Sequence, residues 1–304
     1  MAIILQESLR AAFYAPFYAA LARGAYAAAG VEVRFTSAPS PAQAATSLLA
    51  GAADVCWGGP MRVMATYQAD PGCDLVCFAE VVTRDPFLLI GRTPNPGFRM
   101  ADLLEARLGS VSEVPTPWLC LQDDLRRAGI APERVNRVAD RGMAENCAAL
   151  RAGTLDVVQA FEPFAATLVA EGAGHVWYAA AARGPTSYTT FYARRPVMAA
   201  KREAFRRMVR AIQATQTWLA GADGAEIAAT VASYFPDVPH AILAAAYDRY
   251  KALGIWGRDP ILPRAGYERL RASLVSGGFV TAGASFEQAV DNSLAEEEHR
   301  WPGA

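Results

Sequence analysis

The sequence predicts an α/β protein of two similar lobes around a ligand cleft, and three observations carry this. First, strand-like and helix-like patches alternate through most of the chain, as in sheets flanked by helices. Second, the pattern A-G-x-x-D-V occurs at residues 50–55 and again at residues 152–157. Each copy follows an alanine- and leucine-containing helical stretch, enters a short apolar run and breaks at a proline, in Gly58-Gly59-Pro60 and in Phe161-Glu162-Pro163. Such self-similarity implies two lobes of like build, and two lobes that each end a strand in a loop leave a cleft for a small molecule. Third, 304 residues with 53% hydrophobic content suffice for two folded cores.

The elements follow in order. Ile3-Ile4-Leu5 starts a strand. Residues 15–22 form a helix that tolerates Pro16 in its first turn. Gly30 ends the next turn, and residues 31–35 alternate like a half-buried strand. Ser40 reads as an N-cap before Pro41, and Gly51 as the residue just past the helix end. Residues 54–57, 75–82 and 87–91 are further strands, with the second lobe starting near Pro86. There, residues 107–111 read as a strand, a helix runs from Pro115 or Thr116 to Ala128, and another runs from Met143 to Ala152; Gly129 and Gly153 stop them. Residues 156–161, 176–179 and 188–193 are strands, the last rich in β formers. From Val197 onward the chain reads as helical, and Trp218, Tyr247 and Tyr250 fall at helical spacing that fits a core. Both sheets are expected to be mostly parallel.

Composition excludes several classes. A formal net charge of −1 supplies no basic field for nucleic acid or an anionic membrane. No apolar run reaches the roughly 18 residues a spanning helix needs, so membrane insertion is not expected. Five cysteines without regular spacing do not form a disulfide framework, and Cys73 and Cys77 lack the further ligands of a zinc site. His175, His240 and His299 look peripheral, and Cys120, near a helix start, has no histidine nearby in sequence. No cofactor is expected. The first residues lack a secretory leader's basic start and apolar stretch, so the sequence as it stands reads as cytoplasmic, and as periplasmic if a leader has been removed.

Ala15-Pro16-Phe17-Tyr18, Asp54-Val55-Cys56-Trp57-Gly58-Gly59-Pro60 and Phe161-Glu162-Pro163, with further stretches between and after them, resemble the nitrate/sulfonate/thiamine-precursor solute-binding family of ABC transporters. Ala15-Pro16-Phe17-Tyr18, Arg23-Gly24-Ala25-Tyr26 and Gly30-Val31-Glu32-Val33 look like its opening. Asp54-Val55-Cys56-Trp57-Gly58-Gly59-Pro60 and Phe161-Glu162-Pro163 look like its two lobe landmarks, and Val290-Asp291-Asn292-Ser293 like its closing helix. The resemblance spans the chain and is carried by the order and spacing of these motifs. It implies a type II periplasmic-binding-protein fold with two Rossmann-like lobes, one built from residues 1–86 and 190–304 and the other from residues 87–189. It also implies small-molecule capture by hinge closure, usually as a monomer serving an ABC permease.

Enzymes on this scaffold include an aminopyrimidine synthase and a desulfinase. The synthase resemblance calls for a lysine and a histidine after the first repeat strand and for a cysteine-rich stretch. This chain has Trp57-Gly58-Gly59-Pro60-Met61-Arg62 in the first place and Ser187-Tyr188-Thr189-Thr190-Phe191-Tyr192 in the second. A desulfinase calls for a cysteine near the end of the first strand, where residues 8–14 hold none. Both enzyme readings lose their chemistry.

Candidate ligand-binding residues come from the predicted strand ends and helix starts. Lobe one offers residues 7–14, Gly58 and Gly59, Arg62 and residues 83–85 with Arg84; lobe two offers residues 112–118, Phe161 and Glu162. The glycines admit close backbone approach, with an ordinary turn as the alternative. Glu113 and Thr116 precede a helix whose free N–H groups and dipole favour an anion or carbonyl, with a plain N-cap as the alternative, and Glu113 opposes a full negative charge there. Tyr14, Trp57, Trp118, Phe161 and Tyr188 could cage a planar ligand or pack in the core. Glu162 could accept hydrogen bonds from an amino-heterocycle, or serve the dipole of a helix start. Arg62 and Arg84 are the candidates for an anion. The expected ligand is a small planar solute, aminopyrimidine-like or aromatic; a small organic anion and a cytoplasmic enzyme or sensor on the same fold are the alternatives.

Overall fold

The structure, a computed structural model, describes residues 2–299, with only the backbone of His299. The strands are β1 (Ile3–Glu7), β2 (Val33–Ser37), β3 (Val55–Gly58), β4 (Leu75–Val82), β5 (Leu88–Gly91), β6 (Arg107–Gly109), β7 (Asn136–Val138), β8 (Val157–Ala160), β9 (His175–Ala179) and β10 (Thr189–Arg194). The helices are α1 (Ala15–Ala22), α2 (Ala25–Ala28), α3 (Pro41–Leu49), α4 (Pro60–Ala69), α5 (Thr116–Arg127), α6 (Met143–Arg151), α7 (Phe164–Ala170), α8 (Arg195–Ala200), α9 (Arg202–Gly221), α10 (Gly224–Val231), α11 (His240–Leu253), α12 (Arg264–Ser276), α13 (Phe286–Ala289) and α14 (Ser293–His299).

Two sheets of five strands result, in the orders β2-β1-β3-β10-β4 and β7-β6-β8-β5-β9. The expected parallel character holds for β1 with β2 and β3, and for β6 with β7 and β8. One strand in each sheet runs against its neighbours: β10 is antiparallel to β3 and β4, and β5 to β8 and β9. In each case it is the strand entered after the chain crosses between sheets, through residues 83–87 before β5 and residues 180–188 before β10. Short β7 carries no alternating apolar signal, because all three of its residues are exposed or half-buried.

The sequence repeat has a physical cause. Gly51 and Gly153 take φ values of 73° and 71°, a left-handed turn that glycine allows at a helix end. Ala52 N–H then donates to Ser47 O at 2.8 Å and Thr154 N–H to Ala149 O at 2.9 Å. The repeat aspartates cap an adjacent strand: Asp54 accepts from Ile4 N–H and Asp156 from Arg107 N–H, both at 2.9 Å. The four fixed letters are thus one helix-to-strand turn used twice.

The crossings are tied together by charge. Arg183, on the second, donates through Nη1 to Asp85 on the first at 2.7 Å and through Nε to Asp124 on α5 at 2.9 Å. Arg183 and Asp85 side chains are 2% and 0% exposed, so the pair is withheld from water. Burial pushes the Asp85 carboxyl up, against the pull of Arg183. Asp85 also accepts from Phe87 N–H at 2.9 Å, which fixes the chain where β5 begins.

The C-terminal helices pack on β4 of the first sheet and, through α11 and α12, on α7 and α5 of the second lobe. Leu270 and Leu274 of α12 share a core with Leu119 and Cys120 of α5, and a Cβ at Gly277 would lie 2.4 Å from Leu119. Residues 290–292 are not helical; Val290 makes a parallel bridge to Cys77 on β4, and the last helix starts at Ser293. Among the described residues no helix is long and apolar enough to cross a membrane, and no cluster of three metal-ligating side chains occurs. All five cysteines are free and buried.

Candidate functional site

A cleft between the two sheets gathers the ends of their central strands. Ser8 follows β1, Gly58 ends β3 with Gly59 next to it, and Phe161 follows β8, so both repeat loops reach the same cavity. A short 3₁₀ turn, Ala12–Tyr14, brings in Phe13 and Tyr14, while the crossings bring Phe87 and Tyr188. The cavity encloses about 580 Å³ of empty space with its open mouth included.

The wall is largely aromatic. Phe13 from the first lobe meets Phe161 from the second edge-on, with ring centroids 5.4 Å apart at 87°. Phe87 meets Phe161 the same way at 5.3 Å and 89°, and Phe13 meets Tyr188 at 6.1 Å and 89°. Edge-to-face pairs of this kind contribute about 0.5–1.5 kcal/mol each beyond burial. Tyr14 adds a hydroxyl that burial pushes up to about 12, beside Ser8 and Thr189, so it stays protonated.

The polar part of the wall is electropositive. Arg62 is its one charged side chain among the described residues. Its Nε is buried and has no hydrogen-bond partner. Arg62 lies in the first turn of α4, and Thr116 opens α5, so two helix N-termini face the cavity with their positive dipole ends. Close approach here depends on Gly59: a Cβ on it would stand 3.2 Å from the Tyr188 carbonyl oxygen.

Of the residues expected from sequence, Tyr14, Gly58, Gly59, Arg62, Thr116, Phe161 and Tyr188 lie together on this wall. The others lie elsewhere, each for a visible reason. Trp57 is fully buried in the first core, stacked on Phe17 at 4.6 Å and Phe35 at 5.4 Å, because its strand position points away from the cleft. Glu162 is 0% exposed, pairs with Arg249 on α11 and accepts from Ala166 N–H at 2.7 Å, so it caps α7. Glu113 accepts from Met143 N–H at 2.8 Å and caps α6. Trp118 turns outward under the Arg137 guanidinium, 4.3 Å from the ring centroid. Arg84 donates to the Ala181 carbonyl at 3.3 Å and links the crossings.

Sequence reasoning missed Phe13, Phe87 and Tyr192. Phe13 sits inside the stretch 7–14 already singled out, and only its 3₁₀ turn decides that it faces the cleft. Phe87 and Tyr192 read as buried strand residues, which gives no sign of a wall. The cavity wall carries no cysteine, histidine or lysine among the described residues. Burial pushes Cys56, Cys77 and Cys120 up to about 12 and Cys147 to about 11, away from thiolate chemistry.

Comparison with known proteins agrees with this geometry. Residues 12–222, more than half of the chain, match the family described as NMT1/THI5 like. The Bacillus subtilis (strain 168) protein YtlA, provisionally described as a binding protein, is 24% identical over 296 residues, covering 96% of this chain and 88% of YtlA. The alkanesulfonate-binding protein SsuA from Xanthomonas axonopodis pv. citri, solved bound to MOPS, superposes with a TM-score of 0.73 at 15% identity, over 96% of this chain and 98% of that one. The aliphatic sulphonate binding protein SsuA of Escherichia coli gives 0.77 at 15% identity, over 94% and 96%. The desulfurization enzyme DSZB gives 0.69 at 14% identity, over 98% and 99%. The chain belongs to the NMT1/THI5-like family and has the two-lobed periplasmic-binding-protein fold.

Proposed function

We propose that the protein is a solute-binding protein of the ABC-import type whose ligand is a small organic anion with a planar, aromatic body. The observation that carries this reading is Arg62, a guanidinium in a mostly aromatic wall, with a buried Nε that has no partner. A guanidinium in the lining beside two helix N-termini favours a carboxylate or sulfonate oxygen. Phe13, Phe87, Phe161 and Tyr188 offer ring edges and faces to the ligand's body. The names of the SsuA proteins, alkanesulfonate-binding and aliphatic sulphonate binding, support the anionic group of the ligand.

An aminopyrimidine is the weaker reading. A protonated amino-heterocycle needs a carboxylate, and Glu162 is taken up by Arg249 and the α7 backbone. In either reading the described residues of 1–86 and 190–304 form one lobe and residues 87–189 the other. Binding closes them about the crossings, and a permease and ATPase receive the loaded form.

Titration calorimetry with benzoate, benzenesulfonate, an alkanesulfonate, nitrate and an aminopyrimidine tests the proposal. Tightest binding of an aromatic anion, recovered unchanged, is the expected result. Binding confined to the aminopyrimidine overturns the anion assignment, and chemical conversion of any of them overturns the binding-protein reading.

A further inference from the structure

Acids and bases behind the aromatic wall are unevenly matched. Glu7, Asp85 and Glu162 are 3%, 1% and 0% exposed, and none of the three lines the cavity itself. Each is tied to a residue that does. Glu7 precedes Ser8, Glu162 follows Phe161, and Asp85 accepts from Phe87 N–H at 2.9 Å. Each also holds a guanidinium: Arg10 donates to Glu7 through Nε at 3.0 Å, Arg183 to Asp85 through Nη1 at 2.7 Å, and Arg249 pairs with Glu162. Arg183 is shared with Asp124, so the three guanidiniums of Arg10, Arg183 and Arg249 face the four carboxylates of Glu7, Asp85, Asp124 and Glu162. The surplus carboxylate falls at Phe87 and Tyr188. There, burial holds the Tyr188 hydroxyl well above its ordinary range, and the charge of Asp85 raises it further. Arg84, on the first crossing, donates to the Ala181 carbonyl and does not line the cavity. Arg62 is left as the one cation in the lining among the described residues.

We infer, on the reading of the cleft as an anion site, that Asp85 is a specificity-determining residue which makes the aromatic wall reject a second negative charge. The ligand is then a monoanion, with its charged group at Arg62 and an uncharged body against the rings. The physical basis is the cost of burying charge. The first anionic group exchanges water for a guanidinium. A second would exchange water for ring faces and edges, and a buried charge without a partner is strongly unfavourable. Nothing behind the rings offsets that cost, because each guanidinium there is already held by a carboxylate. At Phe87 and Tyr188 the field adds to the cost, since Asp85 and Asp124 share a single Arg183. Asp85 acts through this field and touches no ligand.

The test is calorimetric titration of the full chain at neutral pH with benzoate, 4-carbamoylbenzoate and terephthalate. The last two have nearly the same shape and differ by one charge. 4-Carbamoylbenzoate should bind at least about thirtyfold tighter than terephthalate. Asp85→Asn keeps an oxygen acceptor for Phe87 N–H and leaves Arg183 matched one to one with Asp124. It should shrink that ratio at least about threefold. A purely structural effect would move both ligands together and leave the ratio alone. If Asp85→Asn does not fold, Asp124→Asn removes the surplus charge from the other side of Arg183 and should shift the ratio in the same direction. Equal binding of 4-carbamoylbenzoate and terephthalate, or a ratio unchanged by the folded variant, overturns the role of Asp85 while the anion reading stands. Binding of benzoate without 4-carbamoylbenzoate shows exclusion by size and overturns it too. If none of the three binds, the aromatic-anion reading fails and the role of Asp85 falls with it.

Discussion

Arg183 and Asp85 form a buried ion pair, Nη1 to Oδ2 at 2.7 Å, and this pair joins the two chain segments that pass between the sheets. Asp124 on α5 holds the other edge of the same guanidinium. A charge pair this deep is sensitive to loss of one partner, because the remaining charge has neither water nor a counter-ion. Arg183→Met leaves two carboxylates beside an apolar side chain. It should lower the unfolding free energy in urea by about 3–5 kcal/mol. Adding Asp85→Asn should recover part of that loss. A double variant no more stable than Arg183→Met would show that the two residues are not coupled.

Glu162 acts through the fold. Its carboxylate pairs with Arg249 and caps α7, while its N–H donates to Tyr250. Glu162→Gln should therefore lower the melting temperature by several degrees, the effect of about 1–3 kcal/mol on a chain of this size, and change ligand affinity less than about threefold. Calorimetry showing a tenfold loss of affinity with an unchanged melting temperature would put Glu162 in the binding site after all.

Glu80 gives a pH dependence with a definite sign. It is buried on β4, beside Ser187 and Thr83, with no ion-pair partner among the described residues, and burial raises its carboxyl from 4.5 to about 8. The folded state thus holds a proton that the unfolded state releases near pH 4.5. The associated stability is fully present below that value and is lost as pH rises through about 8. The unfolding free energy of the native chain should fall across this window more steeply than that of Glu80→Gln. Equal slopes for the two proteins would mean that Glu80 ionises normally when folded.

The fold was largely legible in the sequence because its cues are local. A glycine past a helix end, a capping serine at position 40 and β-rich runs act within a few residues, and Ser40 does cap α3 by accepting from Gln43 N–H. The antiparallel β5 and β10 were not legible, since direction within a sheet depends on where a crossing re-enters it. The site was legible in part for the same reason. Gly58, Gly59 and Arg62 follow directly from the repeat loop. The roles of Trp57 and Glu162 depend on Phe35, Phe17 and Arg249, partners up to 87 positions away, and nothing in the local spacing says that those partners are present.

Arg62 and Trp57 should separate binding from stability most cleanly. They lie five positions apart, yet Arg62 lines the cavity and Trp57 stacks between Phe17 and Phe35. Arg62→Gln removes the one charge of the described wall and keeps a shorter, uncharged polar side chain. Affinity for an aromatic anion should fall at least about tenfold, the equivalent of about 1.4 kcal/mol, with the melting temperature nearly unchanged. Trp57→Leu removes an indole from a packed core and should cost about 3 kcal/mol or more of stability. Ligand affinity of the fraction that remains folded should stay close to that of the native chain, because no indole atom faces the cleft. Should Trp57→Leu lose affinity in a protein of native stability, the indole is part of the ligand cage; should Arg62→Gln bind anions normally, the charge recognition assigned to the α4 N-terminus fails.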